Sequence, residues 1–233
     1  WICGLAANGV YSVAYKIPSL LSMFQQIFNQ AWTISAVKEY DQDSSEFYST
    51  IYKAYNMCMV ITCAGLILFD KLIAKILFGA DFYEAWKYAP FLMISVVFGA
   101  MVQLLGGIFS AAKESKAFGN TILIGAAANT VMNVALVYVC GPLGAAIATS
   151  LSYMLIWMLR LYKVTRQMKL DINLVRDALS YILLYLQATL LMFYSYNWSG
   201  FLIQIVFVIA VFWLYFKDVI GMARKVLVRM KTK

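Results

Sequence analysis

The sequence predicts an all-α protein, a polytopic membrane helix bundle of about seven transmembrane helices. Three observations carry this. Of 233 residues, 63% are hydrophobic and 13% charged, with a mean hydropathy of +0.76, outside the range of ordinary soluble domains. The apolar residues fall in runs of about twenty, long enough at 1.5 Å per residue to cross a hydrocarbon core of ~30 Å. Basic residues gather in alternate connections between the runs, as the positive-inside rule requires. The net charge of +8 is then a matter of topology, and no nucleic-acid partner is implied.

Residues 1–9, WICGLAANG, read as a small-residue turn. The chain starts at Trp1 with no signal peptide, so a fragment of a longer protein is expected. The first span, 10–37, should be kinked by Pro18, which removes a backbone donor. A charged loop follows, with Asp43 and Glu46 spaced as a capping box for a second span from about Ser44 to Leu77. Residues 79–90, GADFYEAWKYAP, cluster Phe82, Tyr83, Trp86 and Tyr88 as an interfacial aromatic belt does. The third span, about Ala85 to Ala112, carries Gly99, Gly106 and Gly107, which allow a neighbouring helix to approach closely.

A fourth span runs from about Ala117 to Cys140, and the Gly141-Pro142 break opens the fifth, rich in small residues at its start. A basic linker, 160–177, separates it from the sixth span, about Ala178 to Tyr196. After a turn at Asn197 to Gly200 comes the seventh, Phe201 to Phe216, apolar except for Gln204 and so expected at the lipid-facing periphery. In the tail, Val219, Ile220, Met222, Val226, Leu227 and Met230 can face lipid while Lys217, Arg224, Lys225, Arg229, Lys231 and Lys233 face headgroups. A cytoplasmic C-terminus puts Lys38, Lys53, Lys113, Lys116, Arg160, Lys163, Arg166, Lys169 and Arg176 on one side. The other side holds Lys71, Lys75 and Lys87, so this orientation is the expected one.

The first span holds the candidate site. Ser12, Lys16, Ser19, Ser22, Gln26, Asn29 and Thr33 follow at helical spacing on one face, flanked by Gln25 and Gln30. The opposite face carries Val13, Ile17, Leu20, Leu21, Phe24, Phe28 and Ile34. A polar face of that length cannot be turned to lipid, so it should line a protein interior or a watery cavity. Lys16 reads as the only charge well inside an apolar span, with every Asp and Glu in a loop, in the tail or at a span end. It either snorkels to the outer surface or meets an anionic ligand in a cavity. Membrane amides commonly bond helix to helix, but Gln25, Gln26, Asn29 and Gln30 exceed what packing needs and suit a sugar or headgroup. Asn129 and Asn133, four apart on the fourth span, share a face and are weaker candidates, better read as structural.

There is no His, and Cys3, Cys58, Cys63 and Cys140 lack ligand spacing, so no metal centre and no cofactor are expected. No GxxxxGK phosphate loop occurs, which leaves no basis for ATP hydrolysis. No enzyme is expected.

The stretch GVYSVAYKIPSLLSMFQQIFNQAWTISAVKEY resembles the eighth-helix region of polysaccharide biosynthesis flippases of the multidrug/oligosaccharidyl-lipid/polysaccharide exporter superfamily. FGADFYEAWKYAPFL, GIFSAAKESK, GAAANTVMN and GPLGAAIATSLSY resemble stretches that follow in the same order there, so the likeness covers nearly the whole chain. It implies movement of an undecaprenyl-pyrophosphate-linked oligosaccharide across a bacterial or archaeal cytoplasmic membrane. It further implies that residues 1–168 are a second lobe without its first helix, 169–216 two peripheral helices and 217–233 a basic tail. The partners implied are the lipid-linked oligosaccharide, membrane lipids and a missing N-terminal lobe of the same chain. Lys16 is the one position that matches the basic cavity residues of that family. The rivals are a cation-coupled drug or metabolite antiporter, expected to hold intramembrane acids, and a polysaccharide polymerase or ligase, expected to need a large outer loop.

Overall fold

The computed structural model describes residues 4–38, 45–193 and 198–231, all of them helical apart from short connections. The helices are α1 (Gly4–Ala14), α2 (Lys16–Lys38), α3 (Ser45–Leu77), α4 (Ala89–Ala111), α5 (Ser115–Cys140), α6 (Pro142–Gln167), α7 (Leu174–Phe193) and α8 (Trp198–Lys231), with a 3₁₀ helix at Ala80–Lys87. Six of these, α3 to α8, contain a stretch long and apolar enough to cross a membrane. The expected first span, 10–37, is the α1–α2 pair, less apolar because of its polar face and interrupted at Tyr15. The break has the cause read from sequence. The Pro18 ring clashes with the carbonyl four residues back, that of Ala14, and the helix restarts at Lys16.

Several boundaries differ from expectation, α8 among them, which continues past Phe216 to Lys231. The anticipated turn over 1–9 is helical from Gly4 onward, where Leu5 to Tyr11 offer no breaker strong enough to stop a helix. Within residues 79–90, Ala80–Lys87 forms a 3₁₀ helix before α4, whose first turn takes Pro90, so the third span starts at Ala89. The Asp43 capping box and the turn residue Asn197 lie outside the described residues, as do the side chains of the tail beyond Gly221.

The bundle is built around α4. In its most apolar stretch 83% of residues are buried, against 6% for α5 and 22% for α8. It packs against α2, α3, α6 and α7, and the Gly106-Gly107 pair makes two of those approaches possible. A side chain on Gly107 would collide with the Trp32 indole of α2, and one on Gly106 would overlap the Arg160 guanidinium of α6 and the Phe118 ring of α5. Trp32 is held there by donating Nε1–H to the Leu104 carbonyl at 2.9 Å. It sits among the stacked rings of Phe28 and Phe47, with Tyr48 meeting it edge-on.

The outer pair α7–α8 is tied to α3 by buried polar groups. Tyr181 donates to Asn56 Oδ1 at 2.7 Å, Asn56 Nδ2 donates to the Tyr215 hydroxyl at 3.1 Å, and Gln187 donates to the Ala64 carbonyl at 3.0 Å. Gln204, the lone polar residue of the α8 apolar run, is buried against the Gln187 carbonyl rather than facing lipid. The basic connections gather at one end of the bundle: Ser45 donates to the Lys169 carbonyl, Lys53 pairs with Asp171, Gln167 bonds Glu114, and Arg176 pairs with Asp218.

Gly107→Ala should therefore destabilise the full-length protein in detergent by about 1–3 kcal/mol through overpacking against Trp32. Gly119→Ala, whose new methyl meets nothing within 4 Å, should be neutral or gain up to ~1 kcal/mol of helix propensity. Thermal unfolding of the two variants tests the packing, and equal midpoints would contradict it.

Candidate functional site

The buried edge of α2 is Ile17, Pro18, Leu21, Gln25, Trp32 and Ala36, at three-, four- and seven-residue spacing against α4 and α3. That edge is set by the aromatic and branched side chains that fill the groove beside α4. The predicted polar row is thereby turned outward, but so are Leu20, Phe24 and Ile34, which the sequence placed on the opposite face, because the edge that fills the groove is narrower than the apolar face. Ser12, Lys16, Ser19, Gln26, Gln30 and Thr33 are exposed, and Ser22 and Asn29 half-buried.

The polar groups divide into two kinds. The hydroxyls are satisfied within their own helices: Ser12 donates to the Asn8 carbonyl, Ser19 to Lys16, Ser22 to Pro18 and Thr33 to Asn29, at 2.6–3.1 Å. They cost little in any surroundings. The side chains of Lys16, Gln26 and Gln30 make no hydrogen bond or ion pair with another described residue. An amide or ammonium without a partner in hydrocarbon costs several kcal/mol, so these three side chains require water, a ligand or another polypeptide segment.

The placement splits the amide cluster. Gln25 is 8% exposed and belongs to the packed edge, whereas Gln26 beside it points outward. Asn29 Nδ2 donates to Gln103 Oε1 on α4, an interhelical bond of the kind the sequence allowed as the alternative reading. Asn129 donates to Ser152 on α6 at 3.0 Å, and Asn133 donates back to Asn129 Oδ1 at 2.9 Å. Asn129 thus ties α5 to α6, and Asn133 supports it from within α5.

Gln103 also lines a cleft of ≈ 530 Å³ between α4, α5 and α6. Its walls are Gly99, Val102, Phe118, Ile122, Gly125, Ala126, Thr149, Tyr153 and Ile156, together with Asn129 and Ser152. At one end lies Arg160, 1% exposed. Sequence reasoning placed this arginine in a basic linker because Arg160, Lys163 and Arg166 read as the end of an apolar run. The structure corrects this: α6 continues to Gln167, so Arg160 is about 10 Å inside its end. It is held by donating Nε–H to Thr121 Oγ1 at 3.1 Å and Nη1–H to the Val102 carbonyl at 2.6 Å, with Phe118 stacked 4.3 Å away.

The acids need a correction too. Asp70 and Asp177 are fully buried, where the sequence suggested that every carboxylate lay in a loop, in the tail or at a span end. Asp177, in the first turn of α7, is served by Arg176 at 3.3 Å and by the Tyr215 hydroxyl at 3.3 Å. Asp70 lies inside α3, and neither of its carboxylate oxygens has a hydrogen-bond partner. Both were hidden because a charge near the end of a long helix looks like a loop residue until the neighbouring helix is seen to cover it.

No family model matches the chain. In sequence it is 26% identical over 151 residues to a Haloferax volcanii protein named "Probable low-salt glycan biosynthesis flippase Agl15", covering 62% of this chain and 32% of that protein. In structure it matches a chain titled "Lipid II flippase MurJ, inward closed conformation" with a TM-score of 0.64 and 18% identity, over 91% of this chain and 48% of that one. The fold is thus that of about half of that solved chain, and this chain spans about a third of the curated relative's length. It is a multi-pass membrane protein.

Single cysteines at positions 16, 19, 26 and 30, introduced in the full-length, otherwise Cys-free protein, should react with a membrane-impermeant thiol reagent. Those at 21, 25 and 36 should stay unlabelled in the native state. Labelling at 25 equal to that at 26 would contradict the rotation of α2 described here.

Proposed function

We propose that this chain is the second lobe, with two peripheral helices, of a flippase that moves a lipid-linked oligosaccharide across a cytoplasmic membrane. The observation that carries the proposal is the outward face of α2, where Lys16, Gln26 and Gln30 stand without partners in an otherwise apolar bundle. An ammonium suits a pyrophosphate, and amides that both donate and accept suit sugar hydroxyls. The likeness to two proteins named as flippases, one of glycan biosynthesis and one of lipid II, supports this reading. Neither name is that of an enzyme.

In the mechanism we propose, a first lobe elsewhere in the protein faces α2 across a water-filled cavity. The polar face takes the pyrophosphate and sugars while the prenyl tail, in the undecaprenyl form or another, stays in the bilayer. The two lobes then rock so that the cavity opens to the other side. The α1–α2 break at Tyr15 gives the cavity-lining helix a place to bend. Residues 1–168 form the moving lobe, 169–216 the peripheral pair and 217–233 a basic tail on the cytoplasmic leaflet. The gathered basic connections at one end of the bundle support the cytoplasmic placing of the C-terminus.

A cation-coupled antiporter is the second reading, and Asp70 favours it, because a buried carboxylate that accepts no hydrogen bond and has only the charge of neighbouring Lys71 beside it is a place for a proton or cation. Asp70→Asn would then abolish ion-driven export of a small cation and leave lipid-linked sugar transfer untouched.

Lys16→Glu should slow transfer of a polyprenyl-pyrophosphate-linked oligosaccharide in proteoliposomes by about tenfold or more, since a hydrogen bond to a charged group is worth ~1.5–3 kcal/mol. Lys16→Arg should stay within about threefold, and Ser19→Ala within about twofold because that hydroxyl is already bonded to the Lys16 carbonyl. Transfer by Lys16→Glu at the wild-type rate would contradict the assigned role.

A further inference from the structure

We infer that the cleft between α4, α5 and α6 is a phosphate-binding site, with the Arg160 guanidinium as its anion-recognising group. Arg160 is buried, yet among the described residues no carboxylate stands within ion-pairing distance of it. Nε and one Nη1 proton have partners, and Nη2 has none. Two hydrogen bonds and the Phe118 ring offset part of the cost of burying this charge, and an anion brought to the unsatisfied donors would offset more of it.

The surroundings favour one class of anion. The held edge of the guanidinium, on Thr121 and Val102, fixes its plane, and Phe118 covers one face, so the unpartnered Nη2, itself buried behind the cleft wall, is held in a set direction and is reached by a small shift of that wall. Fixed, forked donors match phosphate oxygens better than a single round anion. Gly106 leaves the room the guanidinium occupies, since a side chain there would displace it. The cleft of ≈ 530 Å³ is larger than a phosphate group needs, and its wall carries Gln103, Asn129 and Ser152 beyond the charged end. Exposed apolar side chains on α5, Ile122 and Leu123 among them, border it, so an acyl or prenyl chain attached to the phosphate could lie outside against lipid.

The site joins the proposed transport face at one point. Gln103 lines the cleft and accepts the Asn29 amide of α2. In the proposed orientation Arg160 lies toward the cytoplasmic leaflet and Lys16 toward the outer one. The lipid-borne pyrophosphate as the natural ligand rests on the flippase reading; the phosphate chemistry does not.

The test uses the full-length protein in nanodiscs of phosphatidylcholine, Cys-free apart from Ala126→Cys on the cleft wall. The rate of thiol labelling is followed with free inorganic pyrophosphate, with a polyprenyl pyrophosphate in the disc, and with phosphatidylglycerol in the disc. At least threefold slowing by one or more of these, lost in Arg160→Gln and partly kept in Arg160→Lys, supports the site. Which of the three slows labelling separates a free phosphate from a lipid-borne one and a pyrophosphate lipid from bulk anionic lipid. No slowing by any of them in the Arg160 protein overturns the inference, even if Arg160→Gln fails to fold. Slowing that persists in a folded Arg160→Gln variant overturns it as well. Failure here with the α2 face still protected by lipid-linked oligosaccharide would leave the flippase reading intact, and the reverse pattern would separate the two in the other direction.

Discussion

Hydrocarbon offers no substitute for a lost hydrogen bond, and nearly every polar choice in this bundle answers to that constraint. Serine and threonine hydroxyls return to carbonyls three or four residues earlier in their own helices, as at Ser22, Ser95, Ser110 and Thr130. Asparagine and glutamine side chains join helices in pairs, Asn56 with Tyr181 and Tyr215, Asn129 with Ser152 and Gln187 with the α3 backbone. Against that background the charged groups whose hydrogen bonds are incomplete stand out: Lys16 on α2, the free edge of Arg160 and the Asp70 carboxylate.

Geometry follows from the same economy of space. Because α4 presents Gly106 and Gly107 side by side, Trp32 and Arg160 can be driven against its backbone from two directions. The first contact rotates α2 so that its amides Gln26 and Gln30 face away from the bundle; the second pins α6 against α4 and shapes the cleft. The proposed sugar-binding face and the proposed anion pocket thus share one packing decision. The outer helices α7 and α8, locked to α3 through Asn56 and Tyr215, stand apart from both.

Much of this was legible in the sequence. Apolar runs gave the spans to within a few residues, since nothing but a helix satisfies the backbone in lipid, and Gly141-Pro142 and Pro18 marked real interruptions. Helical spacing picked out the polar face of α2. What it could not do was choose between adjacent residues, because Gln25 and Gln26 differ by a rotation set only by the fit of Trp32 and Leu21 into the groove beside α4. Arg160, Asp70 and Asp177 were missed for a related reason. Each lies near a helix end, where one-dimensional reading assigns charge to water, and each is covered by a helix distant in sequence. A cue for Arg160 was present in the run Trp157 to Leu161, which continues the apolar spacing of α6 past the charge.

The central claim is that the outward face of α2 touches the transported molecule. The most direct measurement is photo-cross-linking in the full-length protein, with a photoreactive residue placed in turn at Gln26, Gln30 and Leu21, in membranes containing a radiolabelled lipid-linked oligosaccharide. The account predicts cross-links to the oligosaccharide at 26 and 30 and none at 21, where the side chain is buried within the lobe. Cross-links from 26 and 30 only to polypeptide or to bulk phospholipid would contradict it, and the polar face would then be a seam between helices.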